Sequence, residues 1–355
     1  MWTIFGLGLL IIVGGSIAIW MITQQWKKDD NVSVVSTHHQ DSYFPSHFDD
    51  IDVVQKDFVK LLDVMHQHIV GMDDLLVSLS IALLVKWHVL VEWLPGLAKT
   101  KTISLFSQML GLDFARMQFT PDMLPADITG TEIYNDKTKT FQTRYGPLVT
   151  NIFLADEINR TTPKVQSALL EAMQEQQITI GGISKKLPDP FVVLATQNPI
   201  EQEWTYILPE AQMDRFLCKV LVNYPNYMQE SAMLDIIHDE KKISTLLSLT
   251  KLRGFQKEVA AVTISESIKK YIVSLVQKTR ISHSDVLYGS SPRWSICVYH
   301  MAQAIAWLQW RDCVEKNDVH AVVLPALRHR ILLSYAAQAR GVSSDDVLRD
   351  ILSWE

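Results

Sequence analysis

The stretch Val89-Leu90-Val91-Glu92-Trp93-Leu94-Pro95-Gly96-Leu97-Ala98-Lys99-Thr100 decides the fold. A short apolar run, Val89 to Val91, leads through a Pro-Gly turn to a Lys-Thr pair that opens an apolar helical stretch. Strand, loop and helix in that order are the setting of the phosphate-loop pattern GxxxxGK[ST], whose backbone N–H groups cradle phosphate at a helix N-terminus. In that pattern Lys99 reaches the β and γ phosphates and Thr100 holds Mg²⁺. Both pattern glycines are missing, with Trp93 in the first position and Ala98 in the sixth. Read alone, the segment is equally a loop with an incidental Lys-Thr.

The residues downstream change that balance. Ile152-Phe153-Leu154-Ala155-Asp156-Glu157 is an apolar strand ending in two adjacent acids, a Walker B arrangement. Asp156 would hold the metal's water shell and Glu157 would polarise the attacking water. Alone, such a strand ends at a solvated acidic turn, but it follows the phosphate loop at a fitting distance. Phe114 to Phe119, Phe191 to Ala195 and Phe216 to Val222 are further candidate strands. Apolar runs separated by helices predict a parallel α/β sheet. After Tyr224-Pro225 the pattern turns helical to the end, which predicts a smaller, all-helical second domain.

Composition bounds the remainder. The chain has 355 residues, 48% of them hydrophobic and 20% charged, with a formal net charge of -6. That balance gives no general pull toward nucleic acid. Cys218, Cys297 and Cys313 show no paired spacing and read as ordinary buried thiols rather than a disulfide or zinc framework. Residues 2–22 carry no charge, and Lys27 and Lys28 follow. A helix of that length spans a bilayer, and the lysines place the body on the cytoplasmic side. The expected organisation is a transmembrane anchor over 1–26, a polar linker over 27–50, an ATP-binding core over 51–225 and a helical lid over 226–355. The expected location is the cell membrane, single-pass, with the body in the cytoplasm.

Several long segments resemble the MoxR family of AAA+ ATPases. They are QFTPDMLPADITGTEIY (118–134), LADEINRTTPKVQSALLEAMQEQQITI (154–180) and LATQNPIEQEWTYILPEAQMDRFL (194–217), with PGLAKT (95–100), GSSPR (289–293) and LPALRHRI (324–331). The resemblance covers about residues 51–335, and the anchor lies outside it. It implies an AAA+ core with a lid, ATP and Mg²⁺ as cofactors, and ATP hydrolysis that remodels or matures protein complexes. It implies that Pro95, Gly96, Leu97, Ala98, Lys99 and Thr100 hold the phosphates, Ala at the sixth position being normal for the family. Val70-Gly71 would lie near adenine, Thr100 and Asp156 would serve the metal, and Glu157 would activate water. Asn198, otherwise an Asn-Pro turn closing a strand, becomes the sensor that orients water. Arg215 becomes an arginine finger for a neighbouring subunit, and Arg293 the lid residue that reads the nucleotide. Residues 131–147 resemble an insert, and Ile178 to Lys186 reads as a hairpin turning at Gly181-Gly182. The family also implies a homo-oligomeric ring, six-membered by expectation, and a von Willebrand factor A-domain partner. A nucleic-acid motor would want a basic pore hairpin, and Lys185-Lys186 supply only two charges.

The tryptophans do not fit this pattern. Ten occur beside only 14 glycines, where glycine ordinarily makes up ~7% of residues. Trp87, Trp93, Trp204, Trp294 and Trp310 stand where the family places glycine or another small residue. Trp93 would obstruct a turn that glycine makes without a Cβ penalty. Two readings stay open. The codon UGA is tryptophan in one variant code and glycine in another, so these positions are recoded glycines; or the chain is a nucleotide-impaired membrane scaffold of the same fold.

Overall fold

Strand β1 (His88–Trp93) lies near the middle of a five-stranded parallel sheet because nearly all its side chains are apolar and buried. The computed structural model describes residues 56–353 except 95–96, 199–205, 207, 237–243 and 282. These residues fall in one unit of the chain, residues 42–355. Helices α1 (Lys56–His66) and α2 (Asp73–Val85) precede β1, and α3 (Lys99–Met109) and β2 (Phe114–Gln118) follow it. Next come α4 (Pro125–Thr129), the hairpin β3 (Gly130–Asn135) and β4 (Thr140–Tyr145), β5 (Ile152–Asp156) and α5 (Pro163–Glu175). The hairpin β6 (Gln177–Ile180) and β7 (Ile183–Lys186), then β8 (Val192–Gln197), α6 (Glu210–Met213) and β9 (Phe216–Val222), complete the core.

The strand order is β2-β5-β8-β1-β9, with every neighbouring pair parallel. Alternate side chains of a pleated strand face opposite sides. Val89, Val91, Ile152, Leu154, Val192 and Leu194 join a core with α1, α2, α3 and the helices of the C-terminal part. Leu90, Phe153, Ala155, Val193 and Ala195 join a second core with α5 and β6. Helix α2 is apolar on all sides, and residues 75 to 84 are all buried, as expected of a helix packed within a core. Strand β2 departs from the expected two-sided burial. It is an edge strand, and Arg116 and Gln118, two residues apart on one face, stand outside the core.

The C-terminal part contains α7 (Tyr227–Ile236), α8 (Leu249–Ala261), α9 (Glu266–Ile281), β10 (Val286–Tyr288), α10 (Arg293–Leu308) and α11 (Lys316–Leu327). It ends with β11 (Leu332–Leu333), α12 (Tyr335–Ala339) and α13 (Ser344–Ser353). It is a helical lid rather than an all-helical one, since β10 and β11 pair antiparallel. A buried ion pair fastens it: Arg328 Nε donates to Asp345 Oδ1 at 3.0 Å and Nη2 to Oδ2 at 2.9 Å.

The expected anchor over 1–26 and linker over 27–50 lie outside the described residues. No helix among the described residues is long and apolar enough to cross a membrane. The single-pass, membrane-anchored location with a cytoplasmic body is therefore corrected: no span among the described residues supports it, and attachment through an N-terminal helix is withdrawn with it.

The hairpin expected over 178–186 is present, with Ile180 opposite Ile183 and both Gly181 and Gly182 in the left-handed region. That is the two-residue turn which matches strand twist. Lys185 sits 3.5 Å over the Tyr145 ring of the neighbouring hairpin, so one of the two lysines there is engaged within the chain.

Candidate active site

Lys99 and Asp156 come together although 57 positions separate them in sequence, because β1 and β5 flank β8 in the sheet. Ala98 adopts the left-handed region at φ 46 and caps α3, so the chain reverses there and sends Lys99 into the first helical turn. Lys99 Nζ lies 2.5 Å from Asp156 Oδ1. Thr196 Oγ1, on β8, donates to the same oxygen at 2.7 Å. Arg116, on β2, donates to Asp156 Oδ2 through Nη2 at 2.7 Å and Nε at 3.2 Å. Asp156 has no exposed surface. Burial pushes its carboxyl up, but the hydrogen bonds from Lys99, Arg116 and Thr196 outweigh that and hold it below its ordinary value.

Glu157 is the next residue and has φ 58, which turns its side chain away from the strand. Its N–H donates to Thr196 Oγ1 at 2.9 Å. Its carboxylate accepts from Gln118 Nε2 at 2.6 Å and faces Arg160 Nε at 2.9 Å. Thr196 thus spans both acids, donating to one and accepting from the backbone of the other.

Thr100 follows Lys99 on the first turn of α3, and Leu97 is buried. Pro95 and Gly96 lie outside the described residues. Asn198 directly follows β8, between the strands that carry Lys99's loop and Asp156. Val70 and Gly71 link α1 to α2, and Gly71 (φ +74) faces the Gln229 side chain of α7. A buried carboxylate ringed by donors, a lysine at a helix N-terminus and an adjacent threonine suit a nucleotide's phosphates with a hydrated Mg²⁺. Trp93 fits less well: it ends β1 at the position that opens the loop, and its side chain is 2% exposed within the core.

Arg215 and Arg293 do not join this cluster. They line a separate cavity of about 180 Å³ with Lys86, Trp87, His88, Met173, Gln174 and Gln176. The Arg293 guanidinium stands 5.3 Å from the centre of the Trp87 ring. His88 opens β1 and Trp93 ends it, so the cavity and the phosphate loop lie at opposite ends of one strand, roughly 16 Å apart at 3.3 Å per residue. His88 belongs to the scaffold. Burial, outweighing a hydrogen bond to Met173 and helped by the charge of Arg293, lowers it to about 4. The neutral ring bridges Met173 O at 3.2 Å and the Val193 N–H at 3.0 Å.

Arg116, Gln118, Arg160 and Thr196 escaped the sequence reading. The available signal was the alternation of Phe114-Ala115-Arg116-Met117-Gln118, which sets two long polar side chains on one face of a strand.

The fold and the clustered site define an AAA-type ATPase, and the comparisons with known proteins agree. The family model for the ATPase family associated with various cellular activities (AAA) matches residues 88–218, and the AAA lid domain model matches 278–351. YeaC of Bacillus subtilis (strain 168) is 46% identical over 84% of this chain and 95% of its own length. Chaperone MoxR1 of Mycobacterium tuberculosis is 42% identical over 80% of this chain and 78% of its own length. A solved structure from Cytophaga hutchinsonii, described as an ATPase, superposes with a TM-score of 0.80 at 40% identity, covering 84% of this chain and 94% of the other. The chain belongs to the MoxR family of AAA+ ATPases.

Proposed function

We propose that this chain hydrolyses ATP and couples the cycle to chaperone-like remodelling or maturation of protein complexes. The observation that carries the hydrolysis reading is the buried Asp156 carboxylate, joined to Lys99 at the start of α3 with Glu157 beside it. The chaperone reading rests on the family and on the name of the Mycobacterium tuberculosis relative.

In this reading Lys99 leaves Asp156 to take the phosphates, and the first N–H groups of α3 add the positive end of the helix. Bound Mg²⁺ would supply charge neutralisation at the phosphates, with Thr100 as a direct ligand and Asp156 holding its waters. Glu157 polarises the attacking water and Asn198 orients it. Val70 and Gly71 flank the base. Pro95, Gly96, Leu97 and Ala98 shape the loop. Arg215 and Arg293 are presented together at the far end of β1, so they serve a neighbouring copy's nucleotide, and hydrolysis requires an oligomeric ring. A von Willebrand factor A-domain protein is the proposed partner class.

One observation favours a second reading, a nucleotide-impaired scaffold. The buried Trp93 side chain stands where the phosphate loop needs glycine. An equilibrium binding measurement with MgATP separates the two. The Glu157→Gln chain is expected to bind ATP and not turn it over; normal turnover in that variant would remove Glu157 from its role. Failure of the parent chain to bind MgATP at all would establish the scaffold.

A further inference from the structure

Helix α10 ends in a Schellman motif, and the residue at its left-handed position is Trp310 (φ 65). The Trp310 N–H donates to Trp307 O at 3.0 Å and the Arg311 N–H to Ala306 O at 2.9 Å. Among the described residues the same pair of bonds closes two further helix ends with glycine at the left-handed position, whereas the end at Lys86 (φ 57) keeps only the long bond, from the Trp87 N–H to Ala82 O at 2.8 Å. Gly111 (φ 60) donates to Gln108 O at 3.1 Å, and Leu112 to Ser107 O at 3.0 Å. Gly341 (φ 75) donates to Gln338 O at 3.0 Å, and Val342 to Ala337 O at 3.1 Å. This is the helix-end position where the absence of a Cβ matters most. Two other left-handed residues at helix ends, Lys86 and Gln176, are long and polar, and Lys86 reaches Asp189 at 2.8 Å. Trp310 has no such outlet, and its indole N–H is buried without an acceptor.

Two more tryptophans share that defect. The indole N–H groups of Trp93 and Trp294 are buried and unpartnered. A buried indole ordinarily finds a hydrogen-bond partner. Trp294 has no exposed surface, and the nearly buried Arg330 guanidinium is pressed onto its ring face. The Nε of Arg330 is itself left without a hydrogen bond. Trp307 supplies the contrast within the same helix. Its Nε1 donates to Glu258 Oε2 at 3.0 Å, and its ring packs against Phe58 and Phe255 at 6.0 and 5.2 Å. Trp307 satisfies both its ring and its N–H; the other three bury an indole N–H with no acceptor.

We infer that positions 93, 294 and 310 are glycine in the protein its native cell makes, through UGA codons read as glycine, whereas Trp307 is a true tryptophan. The glycine shortage of the chain points the same way. The assignment also bears on function. Glycine at 93 restores the first position of the phosphate loop, and glycine at 294 frees the space beside Arg293 and Arg330.

Trypsin provides a compact test on protein from its native source. Cleavage after Lys86 and Lys99 releases residues 87–99, which carry position 93. Cleavage after Arg293 and Arg311 releases residues 294–311, which carry positions 294, 307 and 310 in one peptide. Mass spectrometry is expected to find glycine at 93, 294 and 310 and tryptophan at 307, and the gene to carry UGA at the first three and UGG at the fourth. Tryptophan at any of the three overturns the inference, and glycine at 307 overturns the rule that sorts them. Recombinant chain carrying W93G, W294G and W310G is expected to bind a non-hydrolysable ATP analogue at least tenfold tighter than the tryptophan form. That measurement bears on the ATP reading, whereas the peptide masses bear on residue identity, so failure of either is distinguishable.

Discussion

Replacing Arg116 by alanine tests whether the cations around Asp156 compete with the metal. Arg116 gives Asp156 Oδ2 two N–H···O contacts, at 2.7 and 3.2 Å, and gives Gln118 Oε1 a third at 3.1 Å. Hydrogen bonds to a charged group are worth roughly 1.5–3 kcal/mol each when shielded. The Arg116 side chain is 42% exposed, so screening reduces the whole set to about 1–2 kcal/mol. The nucleotide-free Arg116→Ala chain should therefore melt roughly 2–4 °C below the parent. In the proposed cycle Oδ2 must be released to the metal's water shell, so the same free energy opposes Mg²⁺. Removing it should strengthen the Mg²⁺ dependence of ATP-analogue binding by about 5–30-fold. Scanning calorimetry reads the first effect and isothermal titration at stepped Mg²⁺ the second. A lower melting point with unchanged or weaker Mg²⁺ dependence would refute the reasoning, because Arg116 would then be a structural brace that keeps its contact in the loaded state.

Gln118→Leu removes the 2.6 Å hydrogen bond to Glu157 and leaves the Arg160 contact to that carboxylate in place. If the restraint is worth ~0.5–1 kcal/mol, basal ATP turnover should rise about 2- to 5-fold, and a fall in a phosphate-release assay would make Gln118 a positioning residue instead. Arg328→Ala removes both guanidinium hydrogen bonds to the largely buried Asp345 carboxylate and should cost about 3–5 kcal/mol in denaturant unfolding. The paired Arg328→Met and Asp345→Leu change should be far milder, and equal losses would mean the ion pair is not the tie between α11 and α13. His66 lies 2.6 Å from Asp73, and that hydrogen bond, outweighing partial burial, raises its pKa above the usual value. A raised folded-state pKa stabilises fully below about 6.5 and fades as pH rises through the higher folded value. The melting-point gap between the parent and His66→Phe should therefore close on going from pH 6 toward pH 8, and a gap independent of pH would exclude the pair.

The parallel sheet was legible because β1, β5 and β8 are buried on both faces, and burial on both faces leaves an uninterrupted apolar run in the chain. Asp156-Glu157 stood out in the sequence because the apolar strand that ends in them follows the Lys99-Thr100 loop; read alone, it would be a solvated acidic turn. Edge strand β2 was harder. It keeps the α/β order but exposes one face, and the residues on that face, Arg116 and Gln118, contact acids about 40 positions away. No local pattern reports a contact of that span; only the strand order β2-β5 creates it. The β10–β11 pair inside the lid was hidden for a similar reason. Its strands are three and two residues long and separated by α10 and α11, too short for alternation to register.

Under the proposed reading, the distance between the two groups of residues constrains the mechanism. Lys99, Asp156 and Glu157 gather where β1 and β5 end, whereas Arg215 and Arg293 gather where β1 begins. In the sheet between them, residues 89 to 91 and 152 to 155 are fully buried, at most 1% exposed. Close-packed interiors of this kind do not shear by roughly 16 Å, so Arg215, which precedes β9 beside His88, is held away from the loop end of its own chain. Under the proposed reading Arg215 meets a phosphate across a subunit boundary, with the far end of β1 in one copy facing the loop end in the next. Repeating that contact joins unlike surfaces head to tail, and a head-to-tail contact closes into a ring or runs on as a filament. Hydrolysis by this chain is then a property of the assembly, and dilution below the assembly concentration should silence it while leaving the Lys99–Asp156 site of each copy intact.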